Sequence, residues 1–140
     1  MADILQLSGK GLTLKYPSPN TDPNTFLQPL AEAVDVSAYD QVDVQFCLYS
    51  ADAGTVTFHL LTSMQNQSEG DDWESLGSVA LTLSGGNPAF KSVTFPSPIL
   101  AATTIAPTPL LRYVRWKIVF SGGATLATVQ IEGMLRRKAA

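Results

Sequence analysis

The residues able to do chemistry in this chain are few and sit in places that do not favour it. His59 is the only histidine, set between Phe58 and Leu60. Acyl transfer needs a base beside a nucleophile on an exposed turn, and no Gly-x-Ser-x-Gly elbow occurs here. His59 therefore reads as a strand histidine with an ordinary hydrogen bond or a wet edge. Cys47 is the one cysteine. It excludes an internal disulfide and a thiolate zinc site, and its place inside an apolar run reads as a small hydrophobe. Glu69, Asp71, Asp72 and Glu74 gather carboxylates in one polar stretch. Calcium takes such oxygens, and glycoside hydrolysis uses carboxylate pairs. The stretch lacks the alternating aspartates and central glycine of an EF-hand loop, and it reads as a solvated loop; whether Glu69–Glu74 holds a cation is left open.

The aromatic residues offer binding in place of catalysis. Trp73, Trp116, Tyr113, Tyr49 and Tyr39 are the material for a carbohydrate platform. Trp116 shares a strand face with Val114, Ile118 and Phe120 and is assigned to the core. Trp73 flanks the acidic loop and is the platform's best candidate, although packing is the commoner fate of a sandwich tryptophan. Ser84-Gly85-Gly86-Asn87 and Ser121-Gly122-Gly123 are glycine-rich but open no helix, so they read as turns and not phosphate cradles.

The elements that must position these residues are strands. Val42, Val44, Phe46 and Leu48 alternate with Asp43, Gln45, Cys47 and Tyr49, and Val56, Phe58 and Leu60 alternate with Thr57, His59 and Leu61. The short link Ser50–Gly54 predicts a hairpin between the two runs. Further strands are expected at Val79–Leu83, Phe90–Phe95, Leu111–Phe120 and Leu126–Leu135, with Ser121-Gly122-Gly123 as a second hairpin turn. Gly133 falls in the inward row and marks a bulge or close packing. Ile99–Pro109 is long enough to cross between sheets. Ile4–Leu7 and Leu12–Tyr16 read as short strands. In Phe26–Val36, Thr25 and Gln28 resemble a helix capping box, but Pro29 and Val34-Asp35-Val36 favour an extended segment.

The sum is an all-β chain: a single antiparallel β-sandwich or jelly-roll-like domain of about eight strands with an extended N-terminal arm. Residues 1–33 form the arm and first short strands, and residues 34–140 the sandwich core. With 140 residues, 45% hydrophobic and 15% charged, the chain is the size of one domain and too apolar for disorder. A net charge of −3 gives no basic excess to neutralise phosphates, so no nucleic-acid partner is expected. No basic-then-apolar leader and no run of ~18 apolar residues occurs, so neither a signal peptide nor a membrane partner is expected.

Three ordered segments carry a resemblance. Val34-Asp35-Val36-Ser37-Ala38-Tyr39-Asp40 leads into an alternating strand. Leu61-Thr62-Ser63-Met64 runs through a polar loop to Trp73-Glu74-Ser75-Leu76-Gly77-Ser78. Leu111-Arg112-Tyr113-Val114-Arg115-Trp116-Lys117 then leads through Ser121-Gly122-Gly123 to Leu126–Ile131. The set, over Val34–Leu135, resembles small β-sandwich virion accessory proteins of tailed bacteriophages: capsid decoration (cement) or head and tail structural proteins. The resemblance implies a non-enzymatic structural role without cofactor or metal, localisation in a virion made in a host cytoplasm, homo-oligomers, and docking to capsid or other virion proteins. The segment before Val34 has no counterpart in it. On this reading the apolar residues Leu5, Leu7, Leu12, Leu14 and Tyr16 of the arm, and Trp73, are the candidate partner contacts. The alternative is a carbohydrate-binding β-sandwich module with Trp73 and loop tyrosines as its platform. A hydrolase using Asp71 and Glu74 is a distant third.

Overall fold

Alternating side chains with one apolar row per strand must hide that row, and two sheets facing each other do so. The computed structural model describes residues 2–8, 11–66, 73–83, 86–96 and 109–137. It contains ten strands among them: β1 (Ala2–Gln6), β2 (Leu12–Lys15), β3 (Thr25–Leu27), β4 (Val34–Asp35), β5 (Tyr39–Ala51), β6 (Thr55–Ser63), β7 (Glu74–Leu81), β8 (Ala89–Phe95), β9 (Tyr113–Ser121) and β10 (Leu126–Arg137). The first sheet runs β1-β10-β5-β8, with β2 also pairing β10; the second runs β3-β9-β6-β7, with β4 also pairing β9. All pairings are antiparallel.

The predicted rows face each other across the sandwich. Val42, Val44, Phe46 and Leu48 of the first sheet and Val56, Phe58 and Leu60 of the second are buried, as are Val114, Trp116, Ile118, Phe120, Ala127, Val129, Ile131 and Leu135. Phe46 meets Phe58 between the sheets at 5.3 Å and Phe95 at 6.3 Å. Each fully buried large side chain contributes roughly 1.5–3 kcal/mol. Gly133 stands opposite Val44. A β-carbon there would strike the Asp43 carbonyl and crowd the Val44 α-carbon at 3.0 Å, so close packing, and no bulge at that position, explains the glycine.

Two predicted hairpins are arches. β5 and β6 lie in different sheets, and so do β9 and β10. A short glycine link between two alternating strands is compatible with either geometry, and here the two links brace one another. The Asp52 carboxylate accepts from the Thr125 hydroxyl, from the Thr125 amide at 2.9 Å and from the Leu126 amide at 3.2 Å. Gly54, at φ +70°, packs so tightly on Ser121 and Gly122 that no side chain fits. The chain also changes sheet between β8 and β9, where the long connection was expected to cross. The sequential pair that does share a sheet edge is β6 and β7.

The first forty residues resolve the remaining ambiguity. Phe26–Val36 is extended, broken only by a 3-10 turn at Leu30–Glu32 that Pro29 precedes. The split into β3 and β4 raises the strand number above the expected eight. Residues 2–6 and 12–15 do not stand away from the domain. β1 and β2 lie end to end along one edge of β10, with Leu5↔Gly133 and Leu14↔Ala127 in register. Within this chain, the N-terminal stretch read as an arm is an edge of the first sheet.

Candidate functional site

The outward residues of the first sheet form a grid fixed by strand register. One row across β8, β5 and β10 is Phe90, Cys47 and Gln130; the next is Ser92, Gln45 and Glu132; the third is Thr94, Asp43 and Met134, with Ile4 beyond it on β1. A groove of about 480 Å³ lies over the second and third rows, lined by Asp43, Gln45, Ser92, Thr94, Glu132 and Arg136 among others. Asp43 is held firmly: the Thr94 hydroxyl donates to one carboxylate oxygen at 2.6 Å and Arg136 Nε to the other at 2.6 Å. The Thr94 bond, then the Arg136 charge, holds the Asp43 carboxyl below the usual carboxylate range.

An aromatic pair lies beyond the groove's lining, with Phe90 one outward position along β8 from Ser92. Tyr49 and Phe90 meet edge to face at 6.3 Å. They are 40% and 55% exposed, which leaves ring surface open to solvent on a face that also exposes Ile4 and Met134. The Tyr49 hydroxyl donates to Gln130 Oε1 at 2.5 Å. Cys47 lies beneath this pair, and burial pushes its thiol above its usual pKa, the opposite of what a nucleophile needs.

The second sheet carries the tryptophan expected as a platform, and it is packed. Trp73 is only 9% exposed, with the Arg115 guanidinium 5.2 Å from its ring centroid. Arg115 is 1% exposed and donates to the Gln28 carbonyl. Trp73 therefore covers a buried cation, worth about 2 kcal/mol when desolvated, and presents no open ring face. Beside it, His59 Nδ1 lies 3.1 Å from the Ser75 hydroxyl. Burial, and then the Lys117 charge, lowers the His59 pKa, and the Ser75 hydroxyl is the ordinary hydrogen-bond partner expected of a strand histidine.

Of the arm candidates, Leu5, Leu7 and Leu14 are 1%, 5% and 8% exposed and belong to this chain's own core; Leu12 is half-buried against it. Tyr16 is 40% exposed, beside a cleft of about 430 Å³ formed with Asn24, Phe120 and the 121–125 arch. Glu69, Asp71 and Asp72 lie outside the described residues. Among the described residues no group of three or more metal-ligating side chains is assembled. Sequence reasoning missed Gln28, which is 2% exposed. Its amide donates to the Leu7 carbonyl at 3.1 Å and the Glu32 carbonyl at 3.0 Å and accepts from the Trp116 amide at 3.0 Å. Trp116 Nε1 donates to the same Leu7 carbonyl at 3.0 Å. One buried amide thus ties the N-terminal edge to both sheets; its signal was a lone polar residue after Phe26-Leu27.

No family model and no curated protein matches this sequence. Among solved structures, a chain in the structure of infectious bursal disease virus Gx strain aligns over 99% of this chain and 32% of its own length, with a TM-score of 0.50 and 10% identity. The crystal structure of the infectious bursal disease virus VP2 subviral particle aligns over 96% and 31%, with a TM-score of 0.44 and 14% identity. A carbohydrate-binding module specific for non-crystalline cellulose, CBM28, aligns over 96% and 92%, with a TM-score of 0.38 and 13% identity. This chain spans about a third of the length of the viral chains. At the first of these similarities the shared property is the fold: a β-sandwich found within a chain of a virus structure.

Proposed function

We propose that this chain is a non-enzymatic structural protein of a phage-like virion, a capsid decoration or head or tail accessory protein that acts by protein–protein docking and assembles as an oligomer. The observation that carries the proposal is the sandwich itself, aligned over 99% of its length with part of a chain in a virus structure. The ordered Val34–Leu135 motifs, which resemble those of tailed-phage virion proteins, support the same reading. His59 and Cys47 support it from the side of chemistry, since neither sits as a base or nucleophile.

Burial narrows the candidate contacts of the proposed docking surface. Leu5, Leu7 and Leu14 are occupied within the fold, so removing the N-terminal residues opens the core and does not test docking. Tyr16 is the most exposed of the N-terminal candidates, beside the 121–125 arch, and is the proposed contact with a neighbour. The test is co-sedimentation of the purified chain with virus particles lacking it. Saturable binding that Tyr16→Ala weakens at least about tenfold, roughly 1.4 kcal/mol, is expected. Failure of the wild-type chain to sediment with any virion protein refutes the proposal.

A further inference from the structure

We infer that the outward face of the first sheet is a binding groove for an uncharged glycan, with Phe90 and Tyr49 as the stacking surface and Gln45, Ser92 and Glu132 as the hydroxyl-reading groups. A sugar ring has an apolar C–H face and a rim of hydroxyls that donate and accept. A site for it needs an exposed aromatic ring beside rigid polar groups, and the strand register supplies that juxtaposition. Phe90, Ser92 and Thr94 point outward at alternate positions of β8, beside Cys47, Gln45 and Asp43 of β5. Successive outward positions are about 6.6–6.8 Å apart, so the ring and the amide–carboxylate row are within the span of a disaccharide.

The groove's chemistry selects among ligands. Its volume of about 480 Å³ lies within the range of small-ligand sites. Gln45, Ser92 and Glu132 make no side-chain hydrogen bond among the described residues, so their donors and acceptors are available to a ligand. Asp43 is fixed by Thr94 and Arg136 and supplies an oriented acceptor. Asp43 is charge-paired with Arg136, and the Glu132 carboxylate accepts from hydroxyls and disfavours an acidic glycan. Protein interfaces are depleted of charge at their centres, whereas this face has Asp43, Gln45 and Glu132 at its middle, with Met134 beside them in the groove lining and Phe90, Tyr49 and Ile4 outside it. A polar centre with an aromatic margin favours a sugar over a second copy of the chain.

Backbone-amide NMR of the full chain, titrated with soluble neutral oligosaccharides of glucose, mannose and galactose, tests the assignment. At least one is expected to give saturable shifts at Gln45, Phe90, Ser92 and Glu132. Phe90→Ala, at a position 55% exposed, is expected to weaken binding at least about tenfold, Gln45→Ala severalfold, and Trp73→Phe on the opposite sheet not at all. Three outcomes overturn the assignment: no shift with any oligosaccharide, shifts that survive both Phe90→Ala and Gln45→Ala, or shifts on this face that follow protein concentration alone and so report a second copy. Each leaves the virion reading untouched, because that reading stands on the fold.

Discussion

Replacing Gln28 by leucine keeps the side chain near its size and removes its hydrogen bonds. Three bonds are lost: to the Leu7 and Glu32 carbonyls at 3.1 and 3.0 Å, and from the Trp116 amide at 3.0 Å. Leu7 keeps the Trp116 indole N–H as a partner. The Trp116 amide faces leucine in the interior, and an unsatisfied buried donor costs roughly 1–3 kcal/mol. The Glu32 carbonyl is only partly buried and finds water, adding about 1 kcal/mol or less. Leucine returns little, because the apolar area it hides was already covered by the glutamine stem. The expected loss is about 2–4 kcal/mol, read as a lower urea midpoint with an unchanged slope and a fall in Tm of roughly 6–15 °C. The variant should also loosen residues 2–8, whose amide exchange should rise before that of β5 and β6. A Gln28→Leu protein within about 0.5 kcal/mol of wild type would refute the claim that this amide ties the N-terminal edge to the sandwich.

Two further perturbations probe the close approaches and the arches. Gly133→Ala should cost about 3 kcal/mol or more, because the group in the way is the Asp43 backbone carbonyl, which cannot rotate aside; a Tm within a few degrees of wild type would contradict it. Bonds from the Thr125 hydroxyl, then the Thr125 and Leu126 amides, lower the Asp52 pKa from 3.8 to about 2. A carboxyl depressed in the folded state contributes stability that is present above about 3.8 and lost as pH falls through about 2. Carbon-detected NMR titration should place Asp52 near 2 and move it upward in Thr125→Ala; an Asp52 pKa near 3.8 in the wild type would show that it does not brace the arches.

Much of the fold was legible in strand periodicity. The inward rows of β5, β6, β9 and β10 are the ones that alternation selects, because burial on one face imposes a period of two. Partner choice was not legible. A run of alternating residues around Gly54 or Gly122 says that the chain reverses, but not whether it returns in its own sheet or the other. The two arches are joined by the Asp52–Thr125 brace, whose members lie far apart in sequence. The first half of β7 was missed because Ser75, Gly77 and Ser78 give it little apolar pattern and a register shift opposite Leu60 and Leu61 breaks the alternation. Leu5 and Leu7 read as contacts for a neighbour because their partner strand, β10, closes the chain.

The candidate site was legible only in its parts. Tyr49 was among the aromatics named for a sugar platform, and Asp43 and Gln45 were placed outward with it on one strand. Phe90 gave no such signal, since its partner row is set by the β5–β8 register. Trp73 gave a misleading one: its neighbours in sequence are polar, while its ring lies over Arg115 from a strand some forty positions away.

The claim of a virion structural role is tested most directly by counting copies of this chain in gradient-purified particles by quantitative mass spectrometry with labelled standards. The account predicts a fixed number per particle, matched to the symmetry of a capsid or tail lattice and unchanged by salt washing. A chain absent from the particles, or present only in variable traces that washing removes, would contradict it.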